Sequence, residues 1–184
     1  MPSKVRFTYW DACNFLSYIE GHPADRLPAL DAIVDRVRAS GGREVLVTSV
    51  ASVVEVAFAA RERDGRALDP KVETVLDQLW ADWRVVRLIE CHMMIATTAR
   101  RLIRDALPNG WSLKPKDAVH LATAMYIDAS EFQTYDDRLA KYAGLIGRPV
   151  VRPHAPQLVL FPPSTPPVLQ PRQTPGISSE TSSS

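Results

Sequence analysis

The sequence has almost no net charge. Its 22 Lys and Arg stand against 21 Asp and Glu in 184 residues, a formal +1. That balance excludes a general basic field, so any contact with nucleic acid must come from a local patch. No run of eighteen apolar residues occurs, so a membrane span is not expected. The opening Met1-Pro2-Ser3-Lys4-Val5 lacks the pattern of a secretory signal. Only two cysteines are present, Cys13 and Cys91, far apart in sequence. Outside a secretory context they are expected as buried thiols and not as a disulfide. These absences together lead us to expect a cytoplasmic protein. There is no internal repeat.

What is present is enough apolar sequence, 46%, and enough length for one domain with its own core. The composition changes near residue 152. Beyond it lie Pro153, Pro156, Pro162, Pro163, Pro166, Pro167, Pro171 and Pro175 and a Ser-rich end. Each proline removes a backbone donor and fixes φ. We therefore expect a folded unit over 1–152 and a mostly disordered tail over 153–184, in which Leu158-Val159-Leu160-Phe161 docks on the body or a partner.

Before residue 152, short runs rich in apolar and β-branched residues predict strands at 5–10, 44–48, 84–89, 131–135 and 149–152. Helices are expected between them. Leu30, Ile33, Val34 and Val37 share one face of a helix over 28–38, which Gly41-Gly42 stops. A helix over about 50–63 is apolar nearly all round, which predicts burial. Asp69-Pro70 has the form of an N-cap followed by proline at the first helical position, opening a helix towards Trp83. Ile95, Ala99, Leu102, Ile103 and Ala106 form a further stripe, and Pro115 opens a fresh helix carrying Asp117. This alternation predicts a three-layer α/β/α sandwich with a largely parallel central sheet.

Four acids stand out in that frame. Asp11 ends the first strand, Glu55 interrupts the apolar Val53-Val54-Glu55-Val56, Asp117 opens the helix Ala118 to Ala124, and Asp136 ends the run Phe132 to Tyr135. An ionised carboxylate among apolar neighbours is costly unless it is paired. Four of them, several at strand carboxyl ends where open α/β sheets build their sites, suggest a divalent metal site. Each also has a plainer use. Asp11 suits a strand-end turn, Glu55 can pair with Arg61, Asp117 suits a helix start, and Asp136 can cap the helix that follows. Asp137 is expected as an N-terminal helix charge, and His120 as a buried structural histidine. Cys91-His92 does not have zinc spacing.

The segments Trp10-Asp11-Ala12-Cys13-Asn14, Ser52-Val53-Val54-Glu55-Val56, Lys116-Asp117-Ala118-Val119-His120-Leu121-Ala122-Thr123-Ala124 and Phe132-Gln133-Thr134-Tyr135-Asp136 resemble the PIN domain. The likeness is closest to toxins of the VapC type and covers about 5–152. It implies a metal-dependent ribonuclease. Asp11, Glu55, Asp117 and Asp136 match the family's catalytic, metal-holding acids, with Mg²⁺ or Mn²⁺ as the ion. Asn14 and Thr134 match its supporting polar positions. The resemblance also implies a small antitoxin partner and a homodimer. The helix over 70–83 has Val72, Val75, Leu76 and Leu79 available, one face of which packs on the body, and Trp80 and Trp83 leave room for a second contact.

Lys114, Lys116 and Arg138 flank the later acids and are candidates for RNA phosphate contacts. The runs Arg61, Arg63, Arg66 and Arg100, Arg101, Arg104 are expected as solvated faces. Tyr9, Trp10 and Trp111 are expected in the core and not as base-stacking platforms. A housekeeping PIN nuclease of RNA processing and a catalytically silent PIN-like interaction module are the alternatives to a toxin.

Overall fold

A computed structural model describes residues 5–154 of the chain. The expected docking of 157–161 lies outside those residues. Five strands form one wholly parallel sheet in the order β3-β2-β1-β4-β5. They are β1 (Arg6–Trp10), β2 (Glu44–Ser49), β3 (Val86–Ile89), β4 (Glu131–Gln133) and β5 (Val150–Val151). All five fall within a residue or two of the strands expected from apolar runs. Parallel strands need a crossover on a face of the sheet, and here helices supply it.

Side chains alternate along a strand, and β1 shows what that does. Tyr9 points into one core with Phe132, Leu121 and Ile95. Trp10 points into the other with Phe15, Leu30 and Leu46. The first core is closed by α6 (Met93–Ala106), α7 (Pro115–Tyr126) and α8 (Ala143–Ile146). The second is closed by α1 (Ala12–Glu20), α2 (Leu27–Ala39) and α5 (Pro70–Ala81). The chain is thus an α/β/α sandwich. In α2 the buried residues are Leu30, Ile33, Val34 and Val37, the predicted face. Asp69 caps α5 by accepting from Lys71 N–H at 2.9 Å.

The cysteines are not the fully buried thiols expected, since Cys13 is half-buried and Cys91 exposed, and one expected helix fails. Residues 50–63 do not form a single buried helix. They form α3 (Ala51–Glu55) and α4 (Ala60–Gly65), separated by a turn. The turn lets Val56 and Ala59 reach the core, each 1% exposed, while Val54 is left 77% exposed. Two carboxylates make the break stable. Glu62 accepts from Ala59 N–H at 2.8 Å, and Glu20 accepts from Ala60 N–H at 2.5 Å. They satisfy donors that the interruption would otherwise strand at the start of α4.

The sheet order sets the location of the site. From β1 the chain winds to β2 and β3 on one side; β4 then lies on the other side of β1. The carboxyl ends of β1 and β4 therefore flank the point where the order reverses, the place at which open α/β sheets form a crevice. Asp11 follows β1, and Asp136 lies three residues beyond β4.

Candidate active site

A cavity of about 340 Å³ opens at this point. Asp11, Glu55, Asp117 and Asp136 all line it, with Ala12, Cys13, Leu16, Lys116 and Arg138. Four carboxylates spread over more than a hundred residues of sequence are thus brought to one opening. Lys114 is exposed but does not line the cavity, and Asp137 turns away to pair with Arg152.

Asp11 is the N-cap of α1. Its Oδ1 accepts from Ala12 N–H at 2.7 Å, and its Oδ2 accepts from Thr134 Oγ1 at 2.8 Å. Thr134 in turn accepts from Asp136 N–H at 2.9 Å, so one hydroxyl ties the first acid to the last. Asn14 donates through Nδ2 to the Gln133 carbonyl at 2.7 Å, and Asp11 N–H reaches the same oxygen at 3.2 Å. The supporting positions Asn14 and Thr134, buried at 0% and 3% exposure, hold the carboxyl ends of β1 and β4 together. Neither is exposed to a substrate.

Asp136 caps the 3-10 turn over Asp137–Tyr142 by accepting from Arg138 N–H. It also receives the Arg138 guanidinium on both oxygens. Those bonds hold its carboxyl below the ordinary range. Asp136 thus serves both as a cap and as part of the cavity wall.

Glu55 does not pair with Arg61, which lies against Asp69 instead. Its Oε2 meets Lys116 Nζ at 2.6 Å and its Oε1 meets His120 Nε2 at 2.7 Å. Burial pushes this carboxyl up, but the hydrogen bonds from His120 and Lys116 outweigh burial and hold it at about 2. His120 is buried, as expected, and it is also joined to the site. Its Nδ1 lies 2.7 Å from Tyr9 Oη, which accepts from Ser49 N–H at 3.0 Å.

Asp117 is the exception among the four. It sits in the first turn of α7, beyond α6 and a 3-10 turn over Leu107–Asn109. No hydrogen bond or ion pair reaches its carboxylate among the described residues. Burial raises its pKa most; Lys116 and His120 pull it down, and Asp11 and Asp136 push it up. As the side chains stand, no three His, Cys, Asp or Glu groups among the described residues are placed to hold a metal ion. Glu55 and Asp136 are instead turned to Lys116, His120 and Arg138. The donor chemistry itself, hard carboxylate oxygens, suits Mg²⁺ or Mn²⁺.

Cys13 was not anticipated here. It lines the cavity, its Sγ 3.3 Å from Thr134 Oγ1 and 3.5 Å from Asp11 Oδ2. Burial, with Asp11 beside it, pushes the thiol up to about 12, so it is a neutral, weakly polar wall. The aromatics behave as expected: Tyr9 and Trp10 are at most 1% exposed, and Trp111 packs edge-on against Tyr142. Arg100, Arg101 and Arg104 are exposed on α6.

The Glu55 clasp predicts a pH effect. A carboxyl depressed in the folded state contributes stability above its unfolded pKa and loses it as pH falls through the folded one. Urea denaturation of wild type and Glu55→Gln should therefore differ at pH 6. The gap should narrow between about pH 4.5 and about pH 2, the ordinary and folded values. A gap that widens on acidification would contradict the clasp.

The sequence matches the PIN domain family over residues 9–145. No curated protein matches the chain closely enough to count as a relative. Solved structures share the fold at low identity. VapBC-1 from nontypeable Haemophilus influenzae superposes with a TM-score of 0.57 at 12% identity, covering 79% of this chain and 97% of that one. FitAcB from Neisseria gonorrhoeae gives 0.53 at 17%, covering 79% and 97%. A toxin–antitoxin complex from Klebsiella pneumoniae gives 0.50 at 18%, covering 80% and 98%. With its parallel sheet, its acids at the strand-order reversal and a match that spans most of its folded residues, the chain belongs to the PIN domain family.

Proposed function

We propose that this chain is a metal-dependent endoribonuclease that hydrolyses RNA phosphodiester bonds, and that it is the toxin of a toxin–antitoxin pair. The observation that carries the nuclease reading is the convergence of Asp11, Glu55, Asp117 and Asp136 on one cavity with Lys116 and Arg138 at its edge. The toxin reading draws on the toxin–antitoxin complex among the structures that share the fold. Its partners would then be an RNA substrate and a small antitoxin protein.

The four carboxylates would hold Mg²⁺ or Mn²⁺, the unpaired Asp117 first among them. The ion, when bound, would polarise the scissile phosphate and lower the pKa of a bound water. The chain's own residues do the rest. Asp11 and Asp136 are kept in register by Thr134, and the β1–β4 end they share is locked by Asn14. Lys116 and Arg138, paired with Glu55 and Asp136 but 61% and 72% exposed, would reach phosphate oxygens from the rim once released from those acids. Lys114, exposed at the N-cap of α7 two residues before Lys116, would serve a more distant phosphate. No helix among the described residues is long and apolar enough to cross a membrane.

Purified protein should cleave RNA with Mg²⁺ or Mn²⁺ and stop in excess chelator. Asp11→Asn, Asp117→Asn and Asp136→Asn should each lower the rate by at least about a hundred-fold. Asp117→Asn should melt no lower than wild type in chelator, because it removes a repelled charge. Cleavage that persists in chelator, or a rate lost only in proportion to unfolding, would defeat the proposal.

We further propose that the nuclease unit is 1–152, that 153–184 is a separate tail, and that two copies associate. Trp80 packs on Phe15 within the chain, which leaves Val75 and Trp83, 44% and 64% exposed, for a contact beside α5. A chain ending at Pro153 should keep its cleavage rate within about two-fold and show a dimer mass by light scattering. A monomeric mass would refute the association. A rate loss of about a hundred-fold, with the melting temperature unchanged, would place the tail in the site.

A further inference from the structure

The two oxygens of Glu55 are held by two very different donors from one face of α7. Lys116 and His120 are one turn apart, so both point at α3. His120 is 1% exposed, while Lys116 is 61% exposed. The histidine belongs to a buried chain that runs from Ser49 N–H through Tyr9 Oη to its Nδ1. With Glu55 ionised, a carboxylate oxygen only accepts, so Nε2 must carry the proton. In the neutral ring Nδ1 then accepts from Tyr9, whose hydroxyl burial keeps protonated. Both ring nitrogens are thus satisfied, and the ring cannot turn without breaking a buried bond.

Lys116 has no such anchor. Its ammonium ends a flexible stem, and an exposed ion pair of this kind is weak. The carboxylate it touches is carried by a helix of five residues, on which Val53 and Val54 face solvent at 37% and 77% exposure. Ser52 is the one buried residue of α3, its hydroxyl 2.6 Å from that of Thr48, and Ala51 N–H donates to Ser49 Oγ at 3.2 Å. Packing alone therefore fixes little of where Glu55 points. Asp117 lines the same cavity with Asp11 and Asp136, in the field of Lys116 as well as of those two acids. A divalent ion entering there carries twice the charge of the ammonium and loses no side-chain freedom.

We infer that Lys116 is a built-in counter-cation which a divalent metal displaces from Glu55, and that His120, backed by Tyr9 and Ser49, is the positioning residue that keeps the carboxylate in place through the exchange. This rests on the proposed metal-holding role of Glu55. The displaced ammonium remains on the rim, where an RNA phosphate is its next partner. Lys116 thus opposes the metal and favours the substrate, two effects of opposite sign in one side chain.

Mn²⁺ binding to the full chain without RNA, measured by calorimetry, separates these roles. Lys116→Met should bind Mn²⁺ about ten-fold more tightly, as expected for removing a unit charge a few ångströms from the ion, while its KM for RNA rises. In a Glu55→Gln background the same change should gain less than about two-fold, since the exchange partner is gone. His120→Leu should weaken Mn²⁺ binding by about ten-fold, and His120→Gln, whose amide can donate to Oε1, should restore most of it. If His120→Leu does not fold, Tyr9→Phe must weaken Mn²⁺ binding several-fold. Unchanged or weaker binding in Lys116→Met, or a full gain in the Glu55→Gln background, would overturn the exchange and leave the metal reading standing. Equal losses in His120→Leu and His120→Gln, or unchanged binding in Tyr9→Phe, would overturn the positioning role. Unchanged Mn²⁺ affinity in Glu55→Gln alone would remove Glu55 from the metal site and this inference with it.

Discussion

Carboxylates gathered in a half-dry cavity repel one another, and each raises the free energy of ionising the next. The arrangement around Asp11, Glu55, Asp117 and Asp136 answers that repulsion residue by residue. Asp11 is steadied by a backbone N–H and the Thr134 hydroxyl. Asp136 is faced by Arg138, and Glu55 by Lys116 and His120. Asp117 has no hydrogen bond or ion pair among the described residues, and burial, with the charges of Asp11 and Asp136, raises its pKa against the pull of Lys116 and His120. The fold tolerates this cost because the other three acids are satisfied, and the charge that remains unanswered is what a cation would relieve.

The sheet is what makes such crowding possible. Parallel strands end on the same rim, and the reversal at β1 and β4 opens a crevice there. Asn14 and Thr134 lock those two strand ends together from α1 and from the segment after β4. Tyr9 and Phe132, stacked with ring centroids 5.0 Å apart, tie the same two strands inside the core. The chain in which Tyr9 meets His120 then links that core to Glu55. A core tyrosine thereby serves the rim without approaching it.

Much of this was legible in the sequence where one period or one local rule decides the outcome. The α2 stripe Leu30, Ile33, Val34 and Val37 is helical in spacing and buried as such. Asp69-Pro70 caps and starts α5 as local chemistry requires. The 50–63 segment misled because its apolar residues serve two ends: Val56 and Ala59 are core, whereas Val53, Val54 and Phe58 are exposed. The signal for a break was Glu62, whose buried carboxylate restarts the helix at Ala60, but its use depends on a turn that periodicity does not show. The four acids could be found as strand ends and helix starts. Their partners could not. Lys116 and His120 come to Glu55 from residues 61 and 65 positions away, and Cys13 reaches Thr134 across 121. Such pairings follow from the sheet order and not from any local pattern.

The central claim is that these acids hold a divalent cation. Crystals of the protein grown or soaked in Mn²⁺ and measured at the manganese absorption edge test it most directly. The account predicts an anomalous peak within the cavity bounded by Asp11, Asp117 and Asp136, with Lys116 moved off Glu55. A cavity without a peak at Mn²⁺ concentrations that support cleavage, or a peak elsewhere on the chain, would contradict it.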